Sequence, residues 1–359
     1  MHSMAICRKR AVLTGQWSVA TGSTIDPHVN SDYNAPFHVE SLAMSQPYQV
    51  LAYYYFTQLA DPHLEVTRHL AFVRQHDIMC RIYISQNGIN GQMSASSEAA
   101  KAYMQWLKED PRFRDLVFKS HTYHEHVFPR ATVKYRKQLV ALDEPADMAL
   151  TGEHVSPEQW KKMIEERDEH TLLLDVRNDY EWEIGHFEGA ELPTLENFRE
   201  FPSYARELKE QCNPKETKVM MYCTGGIRCE LYSALLKKEG FEQVYQLDGG
   251  VINYGLQEGN DHWRGKLFVF DDRLSVPISP EGQAEVISEC QHCAAPTDVY
   301  YNCANMDCNE LFLSCPECAE KMAGCCCEAC QGAPRLRLHE KGEHPKPFRR
   351  AHLLATVGG

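Results

Sequence analysis

Val219-Met220-Met221-Tyr222-Cys223-Thr224-Gly225-Gly226-Ile227-Arg228-Cys229 decides the reading of this 359-residue chain. The apolar run ending at Tyr222 has the character of a strand buried on both faces of a parallel sheet. Two glycines close behind Cys223 permit the backbone angles of a tight cradle. A helix is expected to begin near Arg228. Loop amides and a helix N-terminus then converge on the sulfur, which favours an anion there and lowers a thiol's pKa. Arg228 adds a fixed positive charge. A lone cysteine is more often an inert core residue. Strand, Cys, Gly-Gly, Arg and helix together instead mark Cys223 as a reactive thiol, with Thr224, Gly225, Gly226 and Ile227 as its loop. Cys229 either resolves an oxidised sulfur or is a buried cysteine at a helix start.

Working outward, Thr171-Leu172-Leu173-Leu174-Asp175-Val176 and residues 243–247 read as further buried strands. Ser156-Pro157-Glu158-Gln159 opens a helix with a capping box and Pro at its first position. Residues 230–238 form another helix, closed by Gly240. Residues 150–270 therefore read as an α/β unit with a parallel sheet. Residues 46–143 alternate differently. Strands are expected at 50–56, 81–85, 89–94 and 113–120, with helices from Pro62 and over 98–107. That βαββαβ order is ferredoxin-like, a fold that does not fix function. The fold class is thus multidomain α/β and α+β. Residues 1–45 lack steady periodicity and read as a disordered extension.

Ten of the fifteen cysteines lie between Cys290 and Cys330. No secretory signal is visible, so metal or redox use is expected rather than a disulfide framework, in a cytoplasmic protein. Cys290-x-x-Cys293 and Cys315-x-x-Cys318 have zinc-ribbon spacing. Interleaving predicts two zinc ions in residues 271–334. Cys290, Cys293, Cys315 and Cys318 hold one. Cys303, Cys308, Cys330 and one of Cys325–Cys327, taken as Cys325, hold the other. His292 is an alternative ligand or an exposed knuckle residue. So few core residues need metal staples to fold, which makes the expected role structural.

The net charge of −13 argues against indiscriminate nucleic-acid binding. It is uneven: residues 46–143 carry 12 basic and 9 acidic side chains, whereas residues 271–334 carry 2 and 11. Arg130, Lys134, Arg136 and Lys137 cluster at the end of the first unit, near His121, His124 and His126. They read either as phosphate contacts or as a solvated edge. Tyr180 and Trp182 are either core residues or stacking platforms for a base. Residues 335–359 read as a basic mobile tail. No apolar run reaches the roughly 18 residues of a membrane span. No flavin, haem or nucleotide motif is seen, and no protein partner is evident.

The middle unit resembles the rhodanese family. The cysteine loop is accompanied by Leu174-Asp175-Val176-Arg177, Glu181, Gly185-His186-Phe187-Glu188-Gly189-Ala190 and Leu247-Asp248-Gly249-Gly250. The resemblance implies that Cys223 is the reactive cysteine, which in sulfurtransferases carries a persulfide. It implies that Asp175 and Arg177 are active-site-rim positions, or else a buried ion pair holding loops together. Four residues separate Cys223 from Arg228. Related cell-cycle phosphatases have one more, giving a ring wide enough for phosphate, so phosphatase activity is disfavoured.

The full order of units resembles the rhodanese-domain tRNA uridine hydroxylases. Further motifs carry this: Ser85-Gln86-Asn87-Gly88-Ile89-Asn90-Gly91 and Lys134-Tyr135-Arg136-Lys137. Gln92 stands where that family usually has Thr. The resemblance implies hydroxylation of carbon 5 of the wobble uridine in tRNA anticodons, with molecular oxygen as co-substrate. A persulfide sulfurtransferase is the alternative on the same cysteine.

Overall fold

The computed structural model describes residues 47–142, 144–195, 197–279 and 284–338. The expected extension at 1–45, and the tail beyond 338, lie outside them. Among the described residues no helix is long and apolar enough to cross a membrane.

The first unit contains β1 (Tyr48–Phe56), α1 (Pro62–Gln75), β2 (Met79–Ser85), β3 (Gly88–Ser96), α2 (Ser97–Glu109), β4 (Lys119–Tyr123) and β5 (Ala131–Tyr135). The sheet order is β4-β1-β3-β2-β5. Its first four strands have the ferredoxin-like order. Asp61 and Ser96 cap the two helices through their side-chain oxygens. Cys80, Ile82 and Ile84 alternate inward on β2 and meet Val73, Tyr103 and Leu107 of the helices. Two strand expectations shift. Apolar residues within 113–118 suggest a strand, but Pro111–Phe113 is a single 3-10 turn, and Phe113 and Leu116, spaced three apart, plug the core. The strand begins only at Lys119. The fifth strand pairs parallel with β2. It escapes the sequence pattern because it is a short edge with only Val133 buried.

The second unit runs β6 (Glu153–Val155), α3 (Pro157–Glu165), β7 (Thr171–Asp175), α4 (Asp179–Trp182), β8 (Gly185–Phe187), α5 (Phe201–Gln211), β9 (Lys218–Tyr222), α6 (Ile227–Lys238), β10 (Gln243–Leu247), α7 (Gly250–Gln257) and β11 (Trp263–Gly265). Strands β6-β10-β9-β7 form the expected parallel sheet. Successive residues of β9 serve opposite faces. Val219 and Met221 pack with α5 and α6, and Met220 and Tyr222 pack with Trp160 and Tyr254 of α3 and α7. Both faces are covered, which is why the strand is continuously apolar. Val140 and Leu142 of the connecting segment also enter this core.

The last unit is built on β12 (Leu267–Phe268), β13 (Ser275–Val276), β14 (Tyr300–Asn302), β15 (Leu311–Leu313), α8 (Pro316–Lys321) and α9 (Glu328–Gln331). Its small core joins Tyr301, Phe312 and Ala319 to buried cysteines. Residues 335–338, which composition assigns to the tail, are tied to this unit. Leu336 bridges to Asn305, and Arg335 pairs with Asp307 at 2.7 Å.

Asp175 and Arg177 do not form a rim. Both are 0% exposed and make a bidentate pair, Nη2 to Oδ2 at 2.6 Å and Nε to Oδ1 at 2.9 Å. Arg177 also donates to the Gly185 and Glu181 carbonyls and lies over the rings of Tyr222 and Trp263. This ion pair ties the end of β7 to α4 and β8. Tyr180 and Trp182 are likewise engaged: Tyr180 packs edge-on against Phe268, and Trp182 Nε1 donates to the Pro193 carbonyl. Removing one partner of a buried pair strands the other charge. Arg177→Leu is expected to cost about 3–5 kcal/mol of stability, read as a lower urea midpoint followed by tryptophan fluorescence.

Candidate active site

Cys223 sits at the carboxyl end of β9, where ligands collect in open α/β sheets. Its side chain is fully buried. Gly226 N–H donates to its Sγ at 3.1 Å. The Gly226 backbone has φ +100°, a conformation that suits glycine. Loop carbonyls face the other way: Val251 N donates to Cys223 O at 3.0 Å and Ile252 N to Thr224 O at 3.1 Å. Gly250 makes this approach possible, since a Cβ there would lie 2.5 Å from Cys223 O. The Leu247-Asp248-Gly249-Gly250 motif thus holds the loop from behind, leaving its amides for the sulfur.

Burial alone pushes the Cys223 thiol up. It is outweighed by the Cys229 thiol, the Arg228 charge and the amides of Arg228 and Cys229, which together hold it down at about 5. Cys229 is driven the other way, by burial and by the neighbouring thiolate. Cys229 is therefore the proton-bearing member of the pair. The Arg228 guanidinium forks onto Glu181, at 2.5 Å and 2.8 Å, and lies over the Phe198 ring. Its influence on the sulfur is that of a nearby charge. Thr224 Oγ1 donates to Glu181 at 3.0 Å. Burial opposes ionisation of Glu181, but the Arg228 charge and its hydrogen bonds keep that carboxyl low. Ile227 and Gly225 remain half-buried.

Two residues of the first unit reach this loop. Lys119 Nζ, from β4, donates to Gly225 O at 2.7 Å. Tyr54, from β1, donates to Glu230 at 3.0 Å, and its ring lies 5.1 Å from the Lys119 ammonium. Glu230 also meets His154 Nε2 at 3.0 Å. Neither Tyr54 nor Lys119 carries any local sequence signal, because packing between units places them. Beside the loop a cavity of about 1130 Å³ runs between β4 and residues 271–279, touching Gln92, Thr224 and Ile252. His121, His124 and His126 line it. His121 accepts from Arg273 at 2.8 Å, and burial together with that cation pulls it down to about 4.

The basic residues lie elsewhere. Arg130, Lys134, Arg136 and Lys137 are exposed along and beside β5, the opposite sheet edge from β4. At a strand spacing of about 4.8 Å, the two edges are roughly 19 Å apart. Arg136 and Lys137 instead border a small cavity with Arg199 of the second unit.

Two cysteine sets converge as the interleaved spacing predicts: Cys290, Cys293, Cys315 and Cys318; and Cys303, Cys308, Cys326 and Cys330. Within each, the sulfurs lie within 4.8 Å of one another. Tetrahedral zinc with Zn–S of about 2.3 Å requires S–S separations of about 3.8 Å. Cys293–Cys315, Cys308–Cys326 and Cys326–Cys330 are each at 3.8 Å. The donors fit structural zinc, which would cross-link the loops of the last unit. The fourth cysteine that converges in the second set is Cys326, not Cys325. Ala323 and Gly324 both take positive φ, and this turn directs the buried Cys325 Sγ toward Ala323 O at 3.9 Å. His292 joins neither set and packs edge-on against Phe312.

A thiolate cradled at the end of a parallel strand, with a fused ferredoxin-like unit, defines a multidomain rhodanese-like protein. Family models agree: a UPF0176 acylphosphatase like domain over residues 48–139, a Rhodanese-like domain over 156–255 and a Rhodanase C-terminal segment over 264–331. A protein of Protochlamydia amoebophila named tRNA uridine(34) hydroxylase is 59% identical over 87% of this chain and 97% of its own length. Its namesake in Chlamydia pneumoniae is 54% identical over 86% and 95%. The chain belongs to the tRNA uridine(34) hydroxylase family.

The metal assignment makes a stoichiometric prediction. Native mass spectrometry should find two zinc ions per chain. Cys326→Ser should retain one, whereas Cys325→Ser should retain both.

Proposed function

We propose that the chain hydroxylates carbon 5 of the wobble uridine in tRNA, using molecular oxygen and Cys223 as nucleophile. The observation that carries this reading is the cradled Cys223 thiolate, in a chain so closely similar to proteins named for that reaction. Uracil C6 is electrophilic and C5 is not. Addition of the thiolate to C6 forms an S–C6 bond and leaves an electron-rich C5, with charge spread onto the ring carbonyl. C5 then gives two electrons to oxygen and, after protonation, carries a hydroperoxide. A two-electron donor of the thiol class reduces this to the C5 hydroxyl and water. Loss of the C5 proton expels the thiolate and restores the C5–C6 double bond. The protein's part is nucleophilic activation by the loop amides, Cys229 and the charge of Arg228. Arg228 acts by position and charge, since its donors are taken by Glu181 and Thr224.

Cys223 has no exposed surface, so the base must approach where the cradle is thinnest. That place is Gly225, where an added Cβ would meet nothing within 4 Å. On this reading the anticodon loop is the partner, and Arg130, Lys134, Arg136 and Lys137 contact phosphates that position it. On the same reading the two metal ions are structural zinc, and the enzyme works in the cytoplasm.

The test is nucleoside mass spectrometry of tRNA incubated with the protein, a thiol reductant and air, without a sulfur donor. The expected product gains one oxygen, and becomes heavier when the air is replaced by heavy-isotope oxygen. Exchange of oxygen for sulfur would not follow that label. Cys223→Ser should abolish the product; hydroxylation by this variant at the original rate would overturn the reading.

A further inference from the structure

The Gly225–Gly226 peptide is engaged at both ends. Its carbonyl oxygen, on Gly225, accepts from Lys119 Nζ at 2.7 Å. Its N–H, on Gly226, donates to Cys223 Sγ at 3.1 Å. In a trans peptide these two groups point in opposite directions within one plane, and no described bond is cis. The ammonium therefore stands directly behind the amide that faces the sulfur. A peptide between two glycines turns over with little steric resistance. Turned over, it would present a carbonyl oxygen to the thiolate. The Lys119 hydrogen bond opposes that motion, and its charge polarises the amide toward the sulfur.

Charge balance points the same way. The Cys223 thiolate, Arg228 and Glu181 sum to one negative charge, to which the Lys119 ammonium is a counter-charge. Burial pulls the Lys119 ammonium down to about 8, against the attraction of Cys223, Asp248 and Glu230. The other groups facing this pair are Arg228, Cys229 and Glu230 on α6, Tyr54 on β1, Asp248 after β10, Tyr232 on α6 and Glu181 on α4.

We propose that Lys119 of the first unit is a positioning residue for Cys223, fixing and polarising the Gly225–Gly226 peptide so that its amide stays on the sulfur. The reactive thiol of the middle unit then depends on a neighbouring unit for its ionisation. This goes beyond the hydroxylase reading, because it concerns the thiolate whatever it attacks.

The test uses the full chain and no tRNA, so its failure is separate from failure of the hydroxylase reading. The rate of Cys223 alkylation by iodoacetamide is followed against pH by peptide mass spectrometry. The wild-type rate should be half-maximal at a pH of about 5. Lys119→Met should move the midpoint upward by about one unit or more, leaving about fivefold less thiolate at the wild-type midpoint. Lys119→Arg, which keeps charge and donors, should restore most of the shift. A folded Lys119→Met with the wild-type profile, or a Lys119→Arg no better than Lys119→Met, overturns the proposal. Should Lys119→Met not fold, the coupling is read in reverse. Nitrogen-15 NMR should show the Lys119 midpoint falling below about 8 in Cys223→Ser, because the thiolate that raises it is gone. An unchanged Lys119 midpoint overturns the proposal equally.

Discussion

A sulfur anion with no contact to water is the constraint on which this architecture turns. Burial penalises the charged form, and the fold must supply what water would have given. Three backbone amides and one thiol do so for Cys223, with the charge of Arg228 beside them. Arg228 is buried in turn and needs a counter-charge, which Glu181 provides in bidentate geometry. Glu181 is itself held by Thr224 and by the Asn178 amide. Each buried charge thus calls for the next partner. The chain of requirements ends only at the hydrogen-bonded start of α4.

That dependence explains which parts of the site are legible in the sequence. Cys223, its glycines and Arg228 lie within one short stretch, so strand, turn and helix signals place them together. Glu181 belongs to a recognisable motif, though its pairing with Arg228 cannot be read from spacing across 47 positions. Asp175 and Arg177 are legible as a pair and not as buried, because an exposed rim and a buried clasp use the same residue types. Lys119 and Tyr54 leave no trace, since a lysine and a tyrosine on alternating strands are ordinary surface or half-buried residues. Only the docking of β1 and β4 against α6 gives them meaning.

The fold shows the same division. Strands covered on both faces, such as β9, announce themselves by continuous apolar runs. The edge strand β5 has one buried side chain and is fixed by its pairing with β2. The cysteine sets are legible through interleaved spacing. The choice among Cys325, Cys326 and Cys327 is not, because it is made by the left-handed turn at Ala323 and Gly324.

The cysteine-rich unit is far in sequence from the thiolate, yet a short route of contacts joins them. Tyr300 of β14 donates to the Tyr180 carbonyl at 2.5 Å, and Tyr300 packs with Phe268 and Leu313 against Ile184. Tyr180 lies in α4 beside Glu181, and the Asn178 side chain donates to the Tyr180 hydroxyl at 2.8 Å. Four residues of helix are too few to persist on their own. They hold their shape here because the Glu181 carboxylate accepts from the Asn178 amide on one side and β14 braces the other. A hairpin as short as β14–β15 is equally unable to stand alone, and the two four-cysteine sets around it could hold metal that would staple it. Metal held by those sets would therefore also steady α4 and, through Glu181, the arginine beside Cys223.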